Sequence, residues 1–170
     1  MILGMSTSTF TAVHVVLSLI GIASGLIVLF GMIGSKRLQG LTALFLATTV
    51  LTSVTGFLFH SEKFGPPHVV GIISLVVLAA ALLALYGFRT AGPWRRIYVA
   101  SAVLALYLNV FVGVVQAFQK VSFLKELAPT QSEPPFLVAQ AVVLLVFLAL
   151  GIAAARAFHP ETGRAALKAA

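Results

Sequence analysis

The sequence contains no cysteine and no aspartate, and its 170 residues include only 11 Lys or Arg and four Glu. Without cysteine the chain cannot form disulfides, thiolate zinc sites or iron–sulfur clusters, and it has no cysteine nucleophile. Charged residues make up 9% of the chain, against about a quarter of a typical soluble domain. Hydrophobic residues make up 60%, and the mean hydropathy is +1.09. This composition excludes a soluble enzyme and a disordered chain, and it is typical of a membrane protein.

The few charges leave five charge-free runs: 1–35, 38–61, 64–88, 97–119 and 134–155. About 20 apolar residues suffice for a helix to cross a hydrocarbon core of roughly 30 Å, and every run is longer than that. We therefore predict an all-α polytopic membrane protein, a bundle of five transmembrane helices that forms one domain over residues 1–170. The predicted spans are about 9–33, 41–60, 67–88, 96–118 and 135–156.

The distribution of Lys and Arg predicts the orientation of these spans. Eight of the 11 lie in residues 34–40, 89–96 and 156–170, and the opposite loops hold only Lys63, Lys120 and Lys125. Because cytoplasmic loops carry the excess of Lys and Arg, the N-terminus should face outward and the C-terminus the cytoplasm. The same distribution argues against a nucleic-acid partner, since the basic residues lie in short loops and the lipid bilayer is the expected partner.

Proline pairs predict where two of the spans begin. Pro66-Pro67 should open the third span and Pro134-Pro135 the fifth, because proline is tolerated in the first helical turn. The outer loop 119–134 alternates apolar and charged residues, so we expect it to lie on the bilayer surface. The sequence suggests no mechanism for residues 128–136 within and beyond that loop.

Polar side chains are concentrated in the outward-facing half of the predicted bundle. Strongly polar groups at membrane depth are functional candidates, and every predicted span contributes one. The candidate cofactor-binding residues are His14, His60, His68, Asn109, Gln116 and Gln140.

Three kinds of ligand suit these residue types. Two imidazoles on facing helices could hold a haem b, and His14, His60 and His68 together could bind a transition metal ion. A quinone headgroup could instead accept hydrogen bonds from His or Gln at the bilayer edge. The sequence does not decide between them. It shows no catalytic residues, phosphate-binding loop or HExxH motif, and it leaves open whether the protein is an enzyme.

A different class of function fits the same composition. The chain could be a non-catalytic accessory or assembly subunit of a larger membrane complex, packed against other membrane subunits through its small residues. A solute transporter fits less well, because transport of protons or cations usually places Asp or Glu within the membrane. All four Glu lie in predicted loops or the tail.

One resemblance bears on localisation. The chain resembles small polytopic proteins of the bacterial inner membrane. The similar features are a His early in the first span, a short basic loop, a Thr/Leu-rich second span and the segment Phe64-Gly65-Pro66-Pro67-His68. The resemblance covers roughly residues 10–100. It implies a multi-pass protein of the bacterial inner (plasma) membrane and no particular activity.

Overall fold

The computed structural model describes residues 2, 4–59 and 64–159, and these residues are helical without strands. The helices are α1 (Thr7–Ile33), α2 (Gln39–Gly56), α3 (Pro66–Leu82), α4 (Trp94–Lys120), α5 (Ser122–Leu127) and α6 (Pro134–Ala157). A π-helical turn, Leu83–Gly87, extends α3. The all-helical class predicted from the sequence is thereby confirmed.

Four helices in the described residues are long and apolar enough to cross a membrane: α1, α3 with its π-helical turn, α4 and α6. The helix α2 is not among them. It has 18 residues, five of them Thr, and at 1.5 Å per residue it is about 27 Å long. The chain is therefore a multi-pass membrane protein with four clear candidate spans, and α2 is short and polar by comparison.

Hydrogen bonds between loops show that successive long helices run in opposite directions. Arg37, just before α2, donates to Thr90 Oγ1 after α3, at 2.7 Å. The guanidinium of Arg95 in the first turn of α4 donates to the carbonyl of Phe158, just after α6. One end of the bundle thus contains the end of α1, the start of α2, the end of α3, the start of α4 and the end of α6. We call this the arginine end, and the opposite end the histidine end.

The core of the bundle is built around α4, which contacts every other helix of the described chain. Its buried face includes Val99, Ala102, Ala105 and Leu106, each no more than 2% exposed. Small residues on this face let neighbouring helices approach closely, which is how helices associate in lipid, where tails already solvate apolar side chains.

The helix boundaries confirm some predictions and correct one. The proline pairs open α3 at Pro66 and α6 at Pro134 as expected, and a short helix occupies the loop after α4. The second span was predicted to reach residue 60, but α2 ends at Gly56. Glycine loses more backbone entropy than other residues in a helix, and residues 57–59 form a turn.

Candidate functional site

His14 lies where α1 meets the end of α2, at the histidine end. Its Nδ1 is 2.8 Å from Thr55 Oγ1, and its ring meets the ring of Phe59 edge to face at a centroid distance of 5.1 Å. Phe59 also contacts Phe10, which is 2% exposed. The imidazole is half-buried and held by one polar and one aromatic neighbour.

The hydrogen bonds of the Thr55 hydroxyl favour one tautomer of His14. Thr55 Oγ1 is 2.7 Å from the carbonyl oxygen of Leu51, one turn earlier, and a carbonyl can only accept. The hydroxyl has a single hydrogen, so when it donates to Leu51 it must accept from His14. His14 is then protonated at Nδ1, and its Nε2 presents a lone pair. A hydrogen bond to one ring nitrogen fixes the tautomer of ligand-binding histidines in this way.

His68 lies in the first turn of α3 and has different neighbours. Its Nδ1 accepts a hydrogen bond from the backbone N–H of Gly65 at 3.2 Å, which caps the helix. Its ring stacks against Phe64 at 5.2 Å and lies 6.0 Å from the ring of Phe57. His68 therefore contributes to the start of α3, and the contacts above do not join it to His14.

His60, the third predicted imidazole, lies outside the described residues. Among the residues that the structure describes, no three His, Cys, Asp or Glu side chains come together as a group that could hold a metal ion. The three-histidine metal site therefore stays a prediction.

Asn109 lies in the middle of the bundle and joins α4 to α1. It is 7% exposed, its Oδ1 accepts from Ser18 Oγ at 2.8 Å, and its Nδ2 is 3.5 Å from the Ser18 carbonyl. Gly21 leaves the space for this contact, because a Cβ there would lie 3.1 Å from both Asn109 Nδ2 and Thr49 Oγ1. Asn109 is thus used in helix packing.

The two glutamines predicted for the site do not meet. Gln140 on α6 donates from Nε2 to the Phe111 carbonyl on α4 at 3.2 Å, and its Oε1 is buried with no hydrogen-bond partner among the described residues. Gln116 is exposed on α4. The described candidates therefore do not meet at one site, and no hydrogen bond within the described residues uses Nε2 of His14.

Several polar residues that organise the histidine end were not predicted from the sequence. Thr55 is one, although its depth matches that of His14. In the loop before α6, Glu133 accepts from Thr130 Oγ1 at 2.8 Å and from the Ser132 backbone N–H at 3.1 Å. Gln131 donates to the Val115 carbonyl at 3.1 Å. Residues 128–136, which suggested no mechanism, therefore form a hydrogen-bonded loop before α6 and tie it to α4.

The arginine end holds a second polar region, an open cleft of about 420 Å³ between the start of α4 and the end of α6. It is lined by Arg95, Arg96, Ile152, Ala155, Arg156 and His159, and we call it the basic cleft. In the sequence these arginines indicate only the orientation of the spans, and the cleft between them is not predictable from it.

No protein-family model, curated protein or solved structure matches the chain.

Proposed function

We propose that the chain is a five-span protein of the bacterial inner membrane that binds a quinone-type headgroup at the histidine end, with His14 as the primary contact. The N-terminus would face the periplasm and the C-terminus the cytoplasm, as the distribution of Lys and Arg favours. This would make α2 the fifth span, and the resemblance to small bacterial inner-membrane proteins is consistent with it.

The observation that carries the proposal is the hydrogen bond between His14 Nδ1 and Thr55 Oγ1, because it favours the tautomer with a lone pair on Nε2. With Nδ1 bonded to Thr55, Nε2 can accept a hydrogen bond but not donate one while the ring is neutral. It therefore complements the hydroxyl of a reduced quinol better than the carbonyl of the oxidised quinone. The neighbouring ring of Phe59 adds an apolar, aromatic surface suited to a flat headgroup.

Of the three ligands considered, a quinol requires the fewest binding side chains. A bis-histidine haem b needs a second imidazole facing His14, and a three-histidine metal site needs two more. The described contacts of His68 include Gly65, Phe57 and Phe64, and none of these contacts is with His14. A quinol needs one acceptor at the bilayer edge, and His14 supplies it.

The test is binding of decylubiquinol and decylubiquinone to the purified protein under anaerobic conditions. The wild type should bind the quinol more tightly, and His14→Ala should weaken quinol binding about three- to tenfold, the value of one hydrogen bond. Thr55→Val should reduce the preference for quinol over quinone. Without the Thr55 hydroxyl, the proton of the neutral His14 ring can be on either nitrogen. Gln119→Ala, which removes an exposed amide at the same end that is not among the predicted site residues, serves as the matched control.

Two outcomes contradict the proposal. Unchanged quinol binding by His14→Ala would remove His14 from the site. A Soret absorption band in the purified wild type that shifts on reduction with dithionite would replace the quinol by haem b.

A second candidate function, an accessory subunit, is supported by the exposure of α6. Only 6% of its most apolar 18-residue window is buried, against 39% in α1 and in α4. The exposed surface of such a helix would contact either lipid or a helix of another subunit. Purification from native membranes in a mild detergent distinguishes the two, since a subunit should co-purify with fixed partners in constant ratio.

A further inference from the structure

We propose that the basic cleft at the arginine end binds the phosphate group of an anionic phospholipid, whose acyl chain lies along α6. This site is at the opposite end of the bundle from His14 and does not depend on what binds there.

The positive charge of the cleft is contributed by two helices. Arg95 and Arg96 lie in the first turn of α4, and Arg156 lies in the last turn of α6. The described residues hold two carboxylates, Glu126 and Glu133, and both are at the histidine end. No described acidic side chain therefore neutralises the three guanidinium groups, which favours an anion in the cleft.

Arg95 lines the cleft and is held in place by hydrogen bonds to the end of α6. Its Nη1 donates to the Ala155 carbonyl at 3.2 Å and to the Phe158 carbonyl, so it satisfies the carbonyl groups at the end of α6. Arg95 is thus a structural link between α4 and α6. Arg96 and Arg156 are exposed, and neither makes a side-chain hydrogen bond to another described residue. Their donors are free to bind phosphate oxygens, which guanidinium groups match in geometry.

The apolar part of the cleft favours a lipid over a free phosphate ion. Ile152 and Ala155 line the cleft beside the arginines. Ile152 is 53% exposed and continues a stripe of exposed apolar side chains, three or four residues apart on α6. The stripe consists of Val138, Val142, Leu145, Leu148 and Ile152, each at least 52% exposed. A headgroup in the cleft would place an acyl chain against this stripe, and basic pockets between helices are known to bind anionic headgroups.

The fluorescence of Trp94 can report lipid binding next to Arg95. Trp94 is the one tryptophan in the sequence, it precedes Arg95 directly, and it is held by stacking on Phe88 at a centroid distance of 3.8 Å. Brominated acyl chains quench tryptophan fluorescence on contact. The experiment compares quenching of Trp94 by brominated phosphatidylglycerol and brominated phosphatidylcholine, each titrated into bilayers that contain the full chain.

In the wild type, phosphatidylglycerol should quench Trp94 at a lower mole fraction than phosphatidylcholine. The double variant Arg96→Gln/Arg156→Gln should reduce this preference about tenfold at low salt. The matched control is Lys36→Gln/Arg89→Gln, which removes the same charge from the same end outside the cleft, and it should keep the preference. Arg95 is left unchanged because it holds α6.

Three outcomes would overturn the proposal. Equal quenching by the two lipids would show that the cleft does not select anionic headgroups. An equal loss in both double variants would show that bulk surface charge, and not the cleft, attracts the lipid. A change in Trp94 fluorescence on addition of millimolar inorganic phosphate, with equal quenching by the two lipids, would mean that a free anion is the ligand.

Discussion

At the scale of single residues, hydroxyl groups, amides and glycines join the membrane helices, and none of the contacts within the described bundle is an ion pair. Ser18 bonds Asn109 between α1 and α4, and Ser53 Oγ lies 3.0 Å from Ser74 Oγ between α2 and α3. Each such bond is modest in lipid, because the separated helices also find partners for their polar groups. The bundle therefore depends on several weak polar contacts together with close packing.

The Ser18–Asn109 pair gives a measurable coupling energy. Asn109→Ala and Ser18→Ala should each destabilise the protein, and the double variant should cost less than the sum because the second change removes a partner already lost. We expect a coupling of about 0.6 kcal/mol, and no more than about 1.7 kcal/mol. The measurement is unfolding of the purified protein in mixed micelles. Strictly additive effects would mean that the bond contributes nothing.

Gly25 should tolerate no side chain, because α1 packs against α2 and α4 at this point. A Cβ there would lie 2.6 Å from Leu106 Cδ1 and 2.8 Å from the ring of Phe45. Overpacking a core of this kind costs about 1–3 kcal/mol, so Gly25→Ala should lower the midpoint of thermal unfolding. Gly40→Ala is the control, since nothing lies within 4 Å of a Cβ at Gly40, and it should be neutral or slightly stabilising. A harmless Gly25→Ala would contradict this packing.

The sequence could predict which residues have to be small or polar, but not which of them meet. The small residues at 21 and 25 follow from their spacing on α1, and both are buried. The partner of His14 does not follow, because α2 offers Thr48, Thr52 and Thr55 at its polar positions and their choice depends on how α1 and α2 are rotated. That rotation is a property of the packed bundle and not of either helix alone.

At the scale of elements, prolines made the starts of α3 and α6 predictable to within one residue. The end of α2 was not, because the apolar pattern of the sequence continues past Gly56 while the helix stops there. The role of the segment before α6 was also missed. Glu133 precedes two prolines that lack N–H groups, so its carboxylate bonds backward to Thr130 and Ser132 and not forward into the helix.

These hydrogen bonds make the loop before α6 sensitive to acid. Partial desolvation acts to raise the pKa of Glu133, but hydrogen bonds from Thr130 and Ser132 outweigh it and hold the pKa below its ordinary value of 4.5. A carboxyl whose pKa is lowered in the folded state stabilises that state above the unfolded pKa, and the contribution is lost as the pH falls through the folded pKa. The wild type should therefore lose stability below about pH 4.5.

Glu133→Gln should remove part of this pH dependence, because glutamine has no proton to gain. Thermal unfolding of the two proteins at pH 7 and at pH 3 should show a smaller difference between the two pH values in the variant. Glu126→Gln is the matched control, since Glu126 lies in α5, and its side chain makes no hydrogen bond within the described residues. If both variants respond to acid like the wild type, the hydrogen bonds of Glu133 do not contribute to the pH dependence of stability.

At the scale of the whole molecule, α2 decides how many times the chain crosses the membrane. If α2 spans the bilayer, residues 39 and 91 lie on the same side, because two crossings, α2 and α3, separate them. If α2 only lies against α1 without crossing, a single crossing separates them and they lie on opposite sides. The extensive contact between α1 and α2 and the alternating directions of the helices favour five crossings.

The absence of cysteine allows this topology to be tested without background labelling. Single variants Ser8→Cys, Gln39→Cys, Ala91→Cys and Ser122→Cys place a thiol at exposed positions without removing any charge that orients the chain. With five spans and an outward N-terminus, a membrane-impermeant maleimide should label positions 8 and 122 in intact cells, and positions 39 and 91 only after permeabilisation. Labelling of position 91 but not 39 in intact cells would give four spans and exclude α2. Because the basic cleft and residue 91 lie at the same end, that result would also place the cleft outside the cell while Lys36 and Arg37 stay inside. This would contradict the orientation predicted from the distribution of positive charge.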